Sequence, residues 1–358
     1  MKRHVFKVSL LTVFVFAATI GLSTAQSAPK VVASILPIHS LVAAVMDGVG
    51  KPTLLLTGNA SPHTYSLKPS QARQISQADA VFWIAHDIES FMTKSIDTLA
   101  KKDVSVELGE TPGLKLLKYR EGGAWEGEGS HDDHEKEHGD KHAGHDDHEK
   151  EHGNKHAKHD DHDDHGKEHG DKHAGHDDHA GHGHGEHDMH VWLDPRNARI
   201  MVLAIAQKLK SVDPANAAVY DANAKNVSVR LQALSNKLRD SLIPVKSSPF
   251  FVFHDAYQYF EKRYGLNGVG SITVNPERKP GAKRIKELRS KVKSAQVNCI
   301  FSEPQFEPAI VKTLIANSKA KAGVLDPLGS GIKPGPDGYF ELMENMANAF
   351  SRCLAASS

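Results

Sequence analysis

Histidine is concentrated in one place in this chain. Of 24 histidines, 18 lie within 131–187, interleaved with Asp, Glu, Lys, Gly and Ala. The stretch HDDHEKEHGDKHAG at 131–144 recurs as HDDHEKEHGNKHAK at 145–158 and starts again at His159 with a three-residue insertion. Neutral imidazole is the commonest protein ligand for borderline divalent metals, and the neighbouring carboxylates add weaker oxygen donors. The chemistry such a run can do is metal capture. A solubilising linker of Asp, Glu, Lys and Ser would serve without so many imidazoles. The run holds no Val, Ile, Leu, Phe, Tyr or Trp, so it has almost nothing to bury and is expected to stay disordered and solvated. Two pieces of it, HEKEH at 134–138 and at 148–152, match the H-E-x-x-H pattern of metalloproteases. That chemistry needs an ordered helix inside a core, which a repeat of this composition does not provide.

Three histidines outside the run sit in loops beside expected strand ends. His63 lies in SPHTY at 61–65, His190 in DMHVWLDP at 188–195, and His254 in FHDAY at 253–257. In an open parallel sheet, ligands bind beyond the carboxyl ends of the strands. His63 and His254 fit that rule, one from each half of the chain. Glu303 in FSEP and Asp326 in LDPLG also follow expected strands of the second half. Each of these residues taken singly reads equally as a loop or capping residue. His39 keeps that plain reading. So does His86 in WIAHD, although its place after a strand would let it pass metal from the run to a cleft.

The elements that must position these side chains alternate. Short apolar runs at 31–35, 53–56, 80–84 and 104–108 read as strands, with helices expected at 38–46, 69–77 and 89–99. Continuous apolar strands between helices predict a parallel sheet covered on both faces. Pro195 opens a helix to about 212. A longer helix follows from Pro214, with Val227, Leu231, Leu234, Leu238 and Leu242 on one face. A second series then runs as strands at 250–253, 269–274, 298–301 and 322–325, with helices at 257–264, 282–294, 308–316 and 339–355. The expected fold is α/β: two lobes, each with a four-stranded mainly parallel sheet, joined by one long rigid helix.

The ends and composition bound the setting. Lys2, Arg3 and Lys7 precede an apolar stretch at 10–22 and the small residues Ser23, Thr24 and Ala25, the pattern of a secretory signal peptide at 1–25. The expected division is then a first lobe at 26–212 containing the histidine-rich loop 128–187, a linker helix at 213–243, and a second lobe at 244–358. The 44 basic side chains balance the 44 acidic ones, but the 131–187 run has 18 acidic and 7 basic, so its net −11 is offset by +11 elsewhere. The basic residues are scattered and not interleaved with aromatics, which argues against a nucleic-acid binder. Cys299 and Cys353, in an exported chain, are expected to form one disulfide. The rival reading, two thiolates on a metal, lacks a CxxC-like spacing.

The segments SPHTYSLKPS, DMHVWLDP, FVFHDAY and LDPLG, in this order, resemble the cluster A-I metal-binding proteins of bacterial ABC importers. TVNPERKPG at 273–281 and SEPQF at 302–306 resemble the zinc-specific branch, the periplasmic zinc-binding proteins of high-affinity zinc uptake. The resemblance spans 30–354 and includes the position of a histidine-rich acidic loop. It implies zinc held in an interlobe cleft by His63, His190 and His254. Manganese-binding relatives place a carboxylate where His254 stands, and a third imidazole favours Zn²⁺ over the harder Mn²⁺. Some relatives carry Glu before the first histidine, where Pro62 stands here and offers no ligand. Asp326 matches an aspartate that coordinates metal in the manganese branch; direct ligation, holding a zinc-bound water, and support from behind the ligands all stay open, as does completion of the shell by water or Glu303. The resemblance also implies a periplasmic monomer that is not an enzyme, delivering zinc to a membrane permease, with an accessory periplasmic zinc chaperone as a further partner. The rival readings are manganese or nickel as cargo, a passive metal buffer in which only the run matters, and a three-histidine zinc hydrolase or lyase, for which no motif supplies a general base.

Overall fold

The computed structural model describes residues 27–99, 103–120, 185–273, 276, 280–306, 309–316 and 318–355. The signal peptide expected at 1–25 and all of the histidine-rich run before 185 lie outside the described residues. The first lobe comprises β1 (Val31–Ala33), α1 (Leu36–Val45), β2 (Thr53–Leu54), α2 (Pro69–Ser76), β3 (Ala80–Trp83), α3 (Ser90–Leu99) and β4 (Ser105–Glu107). A two-stranded antiparallel ribbon, β5 (Leu117–Lys118) with β6 (His187–Asp188), and the helices α4 (Pro195–Val212) and α5 (Ala217–Leu242) follow. The second lobe is β7 (Phe250–His254), α6 (Gln258–Tyr264), β8 (Gly268–Thr273), α7 (Ala282–Ser294), β9 (Cys299–Ser302), α8 (Ala309–Ile315), β10 (Lys321–Val324) and α9 (Gly338–Leu354).

Both four-stranded sheets are parallel, as expected, and they share one topology. The order is β2-β1-β3-β4 in the first and β10-β9-β7-β8 in the second. Numbered within its own lobe, each reads 2-1-3-4. The strand order therefore reverses between the first and third strand of each lobe, where a crevice opens at the carboxyl edge.

The strands alternate between two cores, which is why they read as unbroken apolar runs. Val31, Ala33, Ala80 and Phe82 of the first sheet and Phe250, Val252 and Phe301 of the second belong to one continuous cluster with α1, α4, α5 and α9. Their neighbours face outward: Val32, Val81 and Trp83 pack with Ile75 and Met92, and Phe251, Phe253 and Ile300 pack with Leu288 and Val311. The long helix α5 spans 26 residues, roughly 39 Å at 1.5 Å per residue. Its expected face, Val227 through Leu242, is buried. It packs along α4, α1 and α9, so it is a wall of the shared core and not a free strut. Pro214 opens a 3-10 turn at Pro214–Asn216 before the α-helix begins.

The ribbon β5–β6 is the element the sequence reading lacked. Each strand is two residues long and the histidine-rich run separates them, so no local pattern announces it. His187, the last histidine of that run, pairs with Lys118, and Lys118 Nζ lies 2.5 Å from Glu186 Oε1. The described segments on either side of the run, ending at 120 and resuming at 185, are thus paired on the body of the protein.

Cys299 and Cys353 are joined, with Cα atoms 6.1 Å apart, tying β9 to the end of α9. The bridge closes a loop with a sequence separation of 54, for which chain-entropy arguments give up to about 4 kcal/mol. Replacing both cysteines by alanine should lower the urea midpoint of unfolding by a corresponding amount; an unchanged midpoint would show that the link adds nothing to the packing of α9.

Candidate metal centre

His63, His190 and His254 converge. Each offers one ring nitrogen, and these three atoms lie within 4.8 Å of one another. The ring centroids are 6.1, 5.8 and 5.3 Å apart pairwise. His190 Nε2 and His254 Nε2 are 3.4 Å apart. Two nitrogens at about 2.05 Å from a tetrahedral zinc would be separated by roughly 3.3 Å.

Each imidazole arrives by a different local route. His63 stands in the turn after β2, where its own N–H donates to Ser61 Oγ at 3.3 Å. His190 follows β6 by two residues and leads into a 3-10 turn at Val191–Leu193. That turn runs into α4, which Pro195 starts and Asp194 caps through Arg196 N–H at 2.9 Å. His254 ends β7, at the carboxyl edge of the crevice between β7 and β9.

Carboxylates stand behind two of the rings. His190 Nδ1 lies 2.7 Å from Asp188 Oδ1, and His254 Nδ1 lies 2.7 Å from Glu303 Oε1. A neutral imidazole that donates Nδ1–H to a carboxylate presents a bare Nε2 lone pair on its other side. With both rings neutral in that tautomer, two such lone pairs would face each other at 3.4 Å. That arrangement is repulsive unless a proton or a metal cation sits between them.

The electrostatics agree. Burial pushes the His63 imidazole well below its usual range, helped by repulsion from His254 and His190. Burial also takes His190 down to about 3, with His254 adding to the shift. His254 is buried too, which opposes charge, but Glu303 together with Asp255 and Asp188 outweighs this and holds its pKa above the ordinary value. Asp188 is pushed up to about 7 by burial, against the His190 N–H that hydrogen-bonds it. A divalent cation among the three rings would replace the His254 proton and favour the ionised form of Asp188.

Besides the three rings, Ser61, Glu303 and Gln305, the cleft is walled by the apolar side chains of Pro62, Trp192, Phe306, Pro327 and Leu328. Phe306 stacks on Phe253, with ring centroids 4.8 Å apart, and sets its edge toward His254. Excluding water from these walls strengthens the electrostatic attraction between a cation and its ligands.

The remaining candidates do not join the group of three. Asp326 is occupied in the loop that follows β10. Its Oδ1 accepts from Leu328 N–H, Gly329 N–H and Gln305 Nε2 at 3.0–3.1 Å, and its Oδ2 from Ser330 N–H and Oγ at 2.6 and 2.7 Å. Glu303 lines the cleft but spends one oxygen on His254. His86 is largely exposed, with its ring against Asp87 and Glu107. His39 is buried in α1, its Nε2 3.1 Å from the Pro52 carbonyl. The sequence reading passed over Asp188 as a partner; its spacing of two residues before His190 was the available signal. It noted Glu303 only as a residue after a strand, since pairing a residue at 303 with one at 254 needs the sheet.

The family model for ZnuA, described as zinc-uptake complex component A, periplasmic, matches residues 31–353. A high-affinity zinc uptake system protein ZnuA of Brucella suis is 49% identical over 335 residues, 94% of each chain. The protein of the same name from Haemophilus influenzae is 37% identical over 346 residues, covering 97% of this chain and 99% of that one. Among solved structures, a crystal structure of ZnuA superposes with a TM-score of 0.66 at 21% identity, over 92% of this chain and all of that one. The periplasmic zinc binding protein TroA of Treponema pallidum gives 0.68 at 17%, with the same coverage. These two share the two-lobed fold. The chain belongs to the ZnuA family of periplasmic zinc-uptake components.

Proposed function

We propose that His63, His190 and His254 are the zinc ligands through which this solute-binding protein takes up its cargo. As a ZnuA family member it is a periplasmic component of a zinc ABC importer, partnering the membrane permease, and not an enzyme. The observation that carries the ligand assignment is the pair of carboxylate-backed imidazoles facing each other across 3.4 Å, with a third ring beside them. An all-nitrogen set suits a borderline ion such as Zn²⁺ better than Mn²⁺. A water molecule takes the fourth position, because both Asp326 oxygens are already hydrogen-bonded and Glu303 is turned to His254. Asp326 acts from behind, holding the 326–330 loop and Gln305, whose side chain lines the cleft. Manganese as cargo would find the same three nitrogens without the carboxylate that a harder ion prefers, whereas nickel, which imidazole also suits, is separated from zinc by competitive titration.

The chain divides in this reading into a leader at 1–25, a first lobe at 26–212, a linker helix at 213–243 and a second lobe at 244–358. The histidine-rich run is an auxiliary, weaker zinc binder that raises the local supply near the cleft. The protein works as a monomer; its exposed large apolar side chains, such as Leu203 on α4 and Val324 on β10, are scattered singly. An accessory periplasmic zinc chaperone would load the same cleft.

Deleting 128–186 should leave one tight zinc per chain by calorimetry, and adding His254→Ala to that deletion should weaken it at least 100-fold. A deletion variant with no tight zinc, or an unchanged dissociation constant on the His254 substitution, would reject the assignment.

The pH dependence follows from the direction of each shift. Groups with lowered pKa values, His63 and His190, are already neutral at pH 6 and do not compete with zinc. Groups with raised values, His254 and Asp188, hold protons that zinc must displace. Apparent affinity should therefore fall as pH drops through about 7, with between one and two protons released per zinc near pH 6. Calorimetry in buffers of different ionisation enthalpy counts them; release of three would contradict the assigned protonation states.

A further inference from the structure

His254 is fixed from two sides. Glu303 orients its ring. The other side is Asp255, the next residue in the chain, and Asp255 is gripped by Arg120 from the far lobe. Arg120 Nε lies 3.1 and 3.0 Å from the two Asp255 oxygens, and Nη2 also donates to Asp255 Oδ1. Its Nη1 donates to Glu261 Oε2 at 2.6 Å. All three side chains are largely buried, at 18%, 5% and 4% exposure for Arg120, Asp255 and Glu261.

The partners of this guanidinium have little room to move. A Cβ at Gly268, the first residue of β8, would come 2.6 Å from Glu261 Oε2, so the strand backs the carboxylate directly. Asp255 lies in a turn closed by Ala256 N–H to the His254 carbonyl at 2.9 Å. Arg120 itself follows β5, whose partner β6 ends at Asp188, the carboxylate behind His190. Tyr259 ties the same corner: its hydroxyl donates to the Asp188 carbonyl at 2.6 Å and accepts from Leu117 N–H at 3.0 Å. The ribbon that carries His190 and the turn that carries His254 are thus linked across the lobes by one planar fork.

We propose that Arg120 is a positioning residue for metal binding, holding the His254 turn, through Asp255, at the spacing from His190 that a tetrahedral cation requires. The proposal rests on the zinc site described above. A guanidinium suits the task because its fixed fork engages a carboxylate bidentately, whereas a lysine supplies charge without that geometry. Partners one layer behind metal ligands typically change affinity by about 10–100-fold.

The test uses the full-length protein with Arg120→Gln, Arg120→Lys and Glu261→Gln, each compared with wild type and His254→Ala. Three quantities are read: zinc affinity by competition with a chromophoric chelator, the visible spectrum of the Co²⁺-loaded protein, and the Tm of the metal-free form. Arg120→Gln should lose at least tenfold in zinc affinity, and its Co²⁺ bands should weaken as the site departs from tetrahedral geometry. Arg120→Lys should recover part of both. If Arg120→Gln does not fold, Arg120→Lys and Glu261→Gln carry the test, with smaller losses of affinity and altered Co²⁺ spectra. Folded variants with a lowered Tm but with wild-type affinity and an unchanged Co²⁺ spectrum would make Arg120 a stabilising ion pair only, and overturn the proposal. A His254→Ala protein with wild-type zinc affinity and an unchanged Co²⁺ spectrum would instead overturn the site on which the proposal rests.

Discussion

Two imidazole Nε2 atoms 3.4 Å apart need a proton or a metal cation between them, and much of the surrounding structure is arranged around that pair. Each ring is backed by a carboxylate that fixes its tautomer, Asp188 for His190 and Glu303 for His254. Those carboxylates are buried, so a charge is stabilised among the rings only if a positive centre accompanies them. His63 closes the group from the loop after β2. A divalent ion seated among the rings would take the place of the proton that His254 otherwise holds.

Holding rings from different lobes to within a few ångströms requires lobes that do not drift. The shared apolar cluster through α1, α4, α5 and α9 provides that stiffness. The 188–194 segment is gripped from the second lobe as well: Tyr259 and Tyr339 donate to the carbonyls of Asp188 and Trp192, and the Trp192 indole donates to the Pro327 carbonyl. His190 therefore moves with both lobes at once. The disulfide secures α9, which lies against α1 and α5, to β9, and β9 delivers Glu303. Stiffness at the joint and precision at the ligands come from the same contacts.

The repeated topology explains why the two halves meet where they do. Each sheet reverses its order between its first and third strand, and in the second lobe those strands end at His254 and just before Glu303. The corresponding edge of the first lobe holds Glu89, a fully buried acid pushed up to about 7 by burial, with the Ile84 N–H donating to it at 2.5 Å. That first-lobe crevice is thus filled by a side chain, and the first-lobe imidazoles come from the loop after β2 and from the segment after β6.

The amino-acid sequence alone determined which elements form and which residue types can bind a metal. The alternation of apolar runs with amphipathic helices sufficed for two parallel sheets, because burial on both faces leaves its mark in every strand. His63, His190 and His254 stood out because each lay where a strand or helix begins or ends, and the motifs around them carried the family resemblance. Tertiary structure alone decided what stands behind those residues. Glu303 behind His254, Arg120 on Asp255 and the β5–β6 ribbon join positions that are far apart in the chain or too short to leave a periodic signal. It also placed Asp326 among five donors, four from its own loop and one from Gln305. Local pattern records burial and backbone preference; the partner of a polar side chain is set by which surfaces the folded chain brings together.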